Sequence, residues 1–153
     1  MRRLIPLGAL LPCACAPVPY TAALPPLAAN RAMPAAALLE HALVTHAAGQ
    51  AGTGRAPEAC VDLLPGGLPA EQAAALKARF PQIAPRDRCA QRLASGAAAN
   101  GTWVIRAYEM ACADAEHCTG WISISGGMAT KWTMRWRDGR WMFSADPRLM
   151  AGE

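Results

Sequence analysis

The chain has 153 residues, 53% hydrophobic and 17% charged, with 13 Gly, 13 Pro, 6 Cys and a formal net charge of +4. That is the length of one domain with a core of its own, so disulfides would assist the fold without being its sole support. The charge is too low to argue for nucleic acid or an anionic membrane as partner, and it falls to +2 if Arg2 and Arg3 leave with the N-terminal segment.

Residues 1–16, MRRLIPLGALLPCACA, combine two arginines, a short apolar run and the ending Ala14-Cys15-Ala16, the pattern of a secretory signal. Leu4 to Leu11 is far shorter than the roughly 20 apolar residues a bilayer span needs. Three outcomes stay open. The signal is cleaved near Ala16 or later, or Cys15 is lipidated and becomes the first mature residue, or the segment stays as an anchor. Ala14 and the upstream Leu10-Leu11 suit lipidation at Cys15, whereas Pro12 departs from that pattern. The expected location is periplasmic or secreted, with lipid anchoring in the outer membrane as the variant.

Residues 17–33 (PVPYTAALPPLAANRAM) are rich in Pro and Ala without a period and read as a tether. One globular domain is then expected over 34–150. Pro34 suits the first turn of a helix running to about Ala48 and ended by Gly49. Leu39, Leu43 and Ala47, flanked by Leu38 and Ala42, form its packing stripe, and His41 and His46 fall on different sides as surface or boundary residues. Gln50 to Pro57 is a loop, and Ala59 to Leu64 a candidate short strand closed by Pro65-Gly66-Gly67. A second helix is expected over 69–80, with Glu71 early, Lys77 and Arg79 late, and Ala73, Leu76 and Phe80 on one face. Pro85 to Cys89 reads as a connector.

From Thr102 the pattern alternates. WVIRAYEM, WISIS, KWTMRW and RWMFS read as four strands of an antiparallel meander. Asp138-Gly139 fits a type I′ turn, which places Arg137 opposite Arg140, Trp136 opposite Trp141 and Met134 opposite Phe143. Trp132, Met134, Trp136, Trp141 and Phe143 then share the core face, with Lys131, Thr133, Arg135, Arg137 and Arg140 outside. At the preceding turn a two-residue loop would turn Ile122 and Ile124 away from the tryptophans. A three- or five-residue loop puts Ile122 opposite Trp132 and buries both isoleucines, worth roughly 3–6 kcal/mol. Trp121 is then expected on the outer face beside Thr133. For the first strand two phases stay open. A direct Cys112–Cys118 pair turns Arg106, Tyr108, Val104 and Met110 to the core, and the other phase buries Trp103, Ile105 and Ala107.

Of the six cysteines, Cys60, Cys89, Cys112 and Cys118 lie beyond the signal, and two disulfides among them are expected. Three connectivities are open in principle. Cys112 and Cys118 flank the polar stretch ADAEH, so pairing them closes a small loop and leaves Cys60 and Cys89 to bracket the helical segment. Neither C-x-x-C nor H-E-x-x-H occurs and only His117 lies near a cysteine pair, so no metal or other cofactor is expected.

Phosphate loops, nucleophile elbows and Ser-x-x-Lys motifs are lacking, so no catalytic residue is assigned. The compact polar group Glu109, Asp114, Glu116 and His117 belongs to a strand edge and a turn. The hairpin W-R-D-G-R-W-M-F, preceded by two helices and a meander, resembles the layout of nuclear-transport-factor-like cone folds. That resemblance covers about the last 50 residues and implies a pocket between helices and sheet, but assigns no residue to it. The whole chain is similar to uncharacterised exported proteins of Gram-negative bacteria, which implies a location and no activity.

The expectation is an α+β domain: two helices packed on a four- or five-stranded antiparallel meander. Its expected role is a non-enzymatic binding or interaction module of the cell envelope. The candidate contact patch is Trp121, Lys131, Arg135, Arg137 and Arg140, facing an envelope component or protein partner, with membrane contact only through a lipid anchor. The alternative is a small cone-fold enzyme or ligand binder with its pocket between helices and sheet.

Overall fold

The computed structural model describes residues 24–49, 58–94, 102–125 and 127–146. The signal segment with Cys15, the start of the tether and the loop 50–57 lie outside the described residues. The fold is α+β. Helix α1 (Pro34–Gly49) is followed by β1 (Glu58–Leu64), α2 (Ala70–Arg79), α3 (Arg86–Ala94), β2 (Thr102–Cys112), β3 (His117–Ile124), β4 (Thr130–Arg137) and β5 (Arg140–Ala145). The five strands form one sheet in the order β1-β2-β3-β4-β5.

Strands β2 to β5 form the expected meander, but β1 runs parallel to β2. A parallel neighbour needs a long crossover, and α2 with α3 supplies it. The third helix stands where the sequence reads as a connector. Every described side chain of α3 but Cys89 is exposed, and the segment RDRCAQRLA is so polar that its short helical period gives little sign of a packed helix. Its Asp87 lies in the first turn, and Arg88 pairs with Glu58 at 2.8 Å. The outer edge of β1 is covered in part by residues 82–84, through Ala59 N–H to Gln82 O at 3.1 Å and Ala84 N–H to Ala59 O at 2.8 Å.

Helix α1 lies on one face of the sheet. Its expected stripe is buried, with Leu38, Leu39 and Leu43 packed on Ile105, Ala107, Ile122, Met134 and Trp141. Ala35, Ala36 and Ala37 are buried as well, because α2 and the segment 24–33 cover further sides of the same helix. In α2 the buried side chains are Leu76 and Arg79, joined by Phe80 at its C-cap, whereas Ala73 is exposed. Gln72 of α2 accepts the Ala36 N–H at 3.2 Å, satisfying one first-turn donor of α1.

Residues 24–33 do not hang free as a tether. A 3₁₀ turn at Leu27–Ala29 inserts Leu27, and Met33 is buried beside it. Asn30 O accepts the Trp141 indole N–H at 3.2 Å, and Arg31 reaches Ala115 O at 2.9 Å and Glu116 at 3.0 Å. Beneath this segment Glu40 of α1 forms an ion pair with Arg79 of α2, the two residues only 5% and 6% exposed. Glu40 also accepts the Ala28 N–H at 3.2 Å, and Arg79 donates to Leu24 O. The lack of a long period in residues 24–33 (LPPLAANRAM) therefore reflects a strap held by single anchors, not a solvated linker.

Both disulfides, Cys60–Cys89 and Cys112–Cys118, form. The first fastens α3 over the sheet face opposite α1, where Cys60, Cys89, Ala84 and Val104 make a small second core. The second closes the β2–β3 hairpin with its cysteines directly opposite each other.

The two phases left open for β2 both occur, joined by a bulge. Cys112 pairs with Cys118 and Ala111 with Thr119, but Tyr108 pairs with Trp121, so Glu109 and Met110 together face Gly120. Glu109 takes φ 51°, the left-handed region that a bulge uses and a glutamate pays for. Ile105 and Ala107 are thereby buried on the α1 side, Arg106 and Tyr108 turn outward, and Met110 returns to the core. Gly120 makes room for it: a Cβ there would collide with Met110 Sδ and stand 3.1 Å from Leu38 Cδ2. Gly120→Ala is expected to destabilise by about 1–3 kcal/mol as overpacking. In urea titrations, Met110→Ala in the same chain should relieve part of that cost, and strict additivity of the two would refute the contact.

The D-G turn is as expected, with Asp138 and Gly139 at φ 51° and 73° and Trp136 opposite Trp141. At the β3–β4 turn the isoleucines face inward as expected, but Ile122 pairs with Thr130, not Trp132, and Gly120 faces Trp132. Both registers bury the same side chains. Gly127 N–H closes a turn on Ile124 O at 2.9 Å.

Candidate functional site: the outer sheet face

Alternation puts Trp121, Lys131, Arg135, Arg137 and Arg140 on the face turned away from α1. Helix α3 covers that face at β1 and at Val104 of β2, so β3, β4 and β5 are left uncovered among the described elements. Trp121 stands beside Lys131, not Thr133, because of the β3–β4 register. Tyr108, Trp121 and Lys131 form a row across three strands. The tyrosine and indole planes are 4° apart with centroids at 6.2 Å, and Lys131 Nζ lies over the indole at 5.9 Å. Such a cation over an indole is attracted to its ring quadrupole.

Towards the β4–β5 turn the face becomes cationic. Arg137 is directly opposite Arg140, and Arg135 opposite Met142. All three arginines are exposed, and no carboxylate among the described residues pairs with them. Like charges directly opposite one another weaken a hairpin. A groove of about 460 Å³ runs over this hairpin, lined by Thr133, Arg135, Arg137, Met142, Phe143 and Ser144. Two smaller hollows flank Arg86, one of about 200 Å³ beside the Cys60–Cys89 disulfide and one of about 300 Å³ under α2.

The polar turn after β2 is closed on itself. His117 Nδ1 meets both Asp114 carboxylate oxygens at 2.9 Å, and Asp114 accepts the Glu116 N–H at 2.7 Å. That backbone N–H first, and His117 second, hold the Asp114 carboxyl below its ordinary range. Glu116 is paired with Arg31, and Glu109 is exposed in the bulge. Among the described residues no group of three or more His, Cys, Asp or Glu is placed to hold a metal, and no helix is long and apolar enough to cross a membrane.

The other face of the sheet is filled. His41 stacks on Phe143 with centroids at 4.3 Å and meets the Trp132 edge at 4.8 Å, and His46 meets Trp103 at 4.6 Å. Burial lowers the pKa of both histidines. The unfolded chain, titrating near its ordinary value of about 6.5, then binds more protons than the folded one below that pH. Stability is therefore complete above the ordinary value and declines as pH falls towards the lowered ones. Thermal melts between pH 8 and pH 5 should show this decline, and His41→Gln with His46→Gln should flatten it. An equal slope in the double variant would assign the acid sensitivity elsewhere.

Sequence reasoning assembled the five patch residues but missed Arg106, Tyr108 and Met142 as their neighbours on the same face. The signal that could have placed the first two is the clash of phases between Cys112 and Ile105, which only a bulge resolves. The two disulfides fit a compartment outside the cytoplasm. The chain matches no family model, and neither a curated protein nor a solved structure matches it.

Proposed function

We propose that this is an exported, non-enzymatic binding module of the cell envelope, whose outer sheet face docks an anionic envelope component. One observation carries the reading. Arg135, Arg137 and Arg140 gather on an uncovered face with no carboxylate partner among the described residues, an arrangement that costs the β4–β5 hairpin stability. A solvated face needs no such concentration, whereas an anionic partner supplies the missing counter-charge. The Tyr108–Trp121–Lys131 row extends the patch with the aromatic surface that binding faces favour. The pocketed alternative has less support, since Leu38, Leu39 and Leu43 fill the space under α1 and Arg106 and Tyr108 point away from it.

The signal segment supports export into the periplasm or beyond, with cleavage near Ala16 or lipidation at Cys15 as the two processed forms. Intact mass of soluble and membrane fractions separates them. The binding reading is tested on an anionic polysaccharide, dextran sulfate, immobilised as a column matrix. The oxidised protein should be retained at low salt, and Arg135→Gln/Arg137→Gln/Arg140→Gln should elute at markedly lower salt. Equal elution of variant and wild type would remove the patch from consideration.

A further inference from the structure

We propose that the groove over the β4–β5 hairpin seats the phosphate headgroup of a membrane lipid, with the start of its apolar body against Met142. This inference rests on the reading of the outer face as an anion-binding surface and names the ligand class for one part of it.

The lining decides the chemistry. Arg135 and Arg137 are two positions apart on one strand, so both guanidinium groups rise from the same face about 7 Å apart at their origins. Planar guanidinium donors match phosphate oxygens in pairs, where an ammonium acts as a point charge. Thr133 and Ser144 lie directly opposite each other and add two hydroxyl donors at the next position along the hairpin. No acidic side chain lines the groove. A bare anion would use only these polar groups. Met142, however, is 45% exposed between them, and the groove of about 460 Å³ is large for an inorganic ion. An exposed thioether beside paired guanidinium groups fits a ligand that is anionic at one end and apolar at the other.

The same lining argues against an extended polyanion. Asp138 sits in the turn beyond Arg137, and Asp146 follows β5 at the other end of the hairpin. The cationic stretch is therefore short, one headgroup long. This local geometry also reconciles lipid binding with the low charge of the chain, since the groove does not depend on the overall field.

The test uses the full chain, oxidised, with phosphatidylcholine vesicles that contain or lack phosphatidylglycerol, alongside hexyl phosphate, inorganic phosphate and dextran sulfate. Binding to the phosphatidylglycerol vesicles and to hexyl phosphate is expected. Arg135→Gln/Arg137→Gln should weaken both by about tenfold or more. Met142→Ser, a change at an exposed position, should weaken them by about threefold while leaving dextran sulfate retention intact. Arg140→Gln, outside the groove, should change vesicle binding by less than about twofold. The proposal is overturned if Arg140→Gln weakens vesicle binding as much as the pair does, because the attraction is then diffuse. It is also overturned if inorganic phosphate binds as well as hexyl phosphate and Met142→Ser has no effect. Retention on dextran sulfate without vesicle binding removes the lipid and leaves the anionic reading of the face standing. Loss of both removes the two together.

Discussion

Glu40→Ala should unfold at a urea concentration far below the wild type, with a loss of about 3–5 kcal/mol and an unchanged denaturant slope. The cost arises from what the substitution leaves behind. Arg79 is 6% exposed, and without the Glu40 carboxylate its charge stays in an interior where, among the described residues, the Leu24 carbonyl is the acceptor left to it. The Ala28 N–H would lose its acceptor in the same step. Replacing both partners, Glu40→Met with Arg79→Leu, should recover most of the loss, since two apolar groups need neither charge nor hydrogen bonds there. A single-variant loss under about 1 kcal/mol would mean that water reaches the pair in solution. Neither residue lies on the outer face, so binding measured below the transition should be unaffected.

The second large effect belongs to the Cys60–Cys89 bridge. It closes a span of 29 residues and the Cys112–Cys118 bridge one of 6. Chain-entropy estimates give about 3–4 kcal/mol for the first and about 2 kcal/mol for the second. Cys60→Ser/Cys89→Ser should therefore cost more than Cys112→Ser/Cys118→Ser. It should also cost it in one place. Apart from Cys89, the described side chains of α3 are exposed, and its other described anchor is the surface pair Arg88–Glu58. Amide exchange in α3 should rise towards the unprotected rate in the first variant while β2 to β5 remain protected. Protection of α3 without the disulfide would show that packing on β1 suffices.

Much of this fold is legible in the sequence because local chemistry and burial agree. Asp138-Gly139 fixes its turn by φ alone, and the register of Trp136 on Trp141 follows from it. Pro34 and the leucines after it define α1. The sequence leaves the connectivity open, but the small loop that Cys112 and Cys118 could close around a polar stretch is the one that forms, with Cys60 joined to Cys89. The failures are tertiary. Nothing local announces that Glu109 adopts a positive φ, because the bulge reconciles the disulfide register at one end of β2 with the burial of Ile105 at the other. Glu40 reads as an ordinary helix glutamate until α2 brings Arg79 against it. The parallel β1 follows from the crossover, which requires a helix too polar to recognise. Of the candidate site, the five patch residues are readable from alternation, whereas the groove beside Met142 exists only once β4 and β5 are paired.

The hydrogen bond from Trp141 to Asn30 joins positions 111 residues apart, and the Arg31 contacts span 84 and 85. A chain built from its N-terminus therefore releases its first anchored segment long before the strand that receives it. In the native fold Leu27 and Met33 are buried in the same core as Trp141, and the 3₁₀ turn that carries Leu27 packs on both α1 and β5. The two ends of the domain are therefore held by each other, and a truncation that removes β5 should release the front of the chain as well as its end.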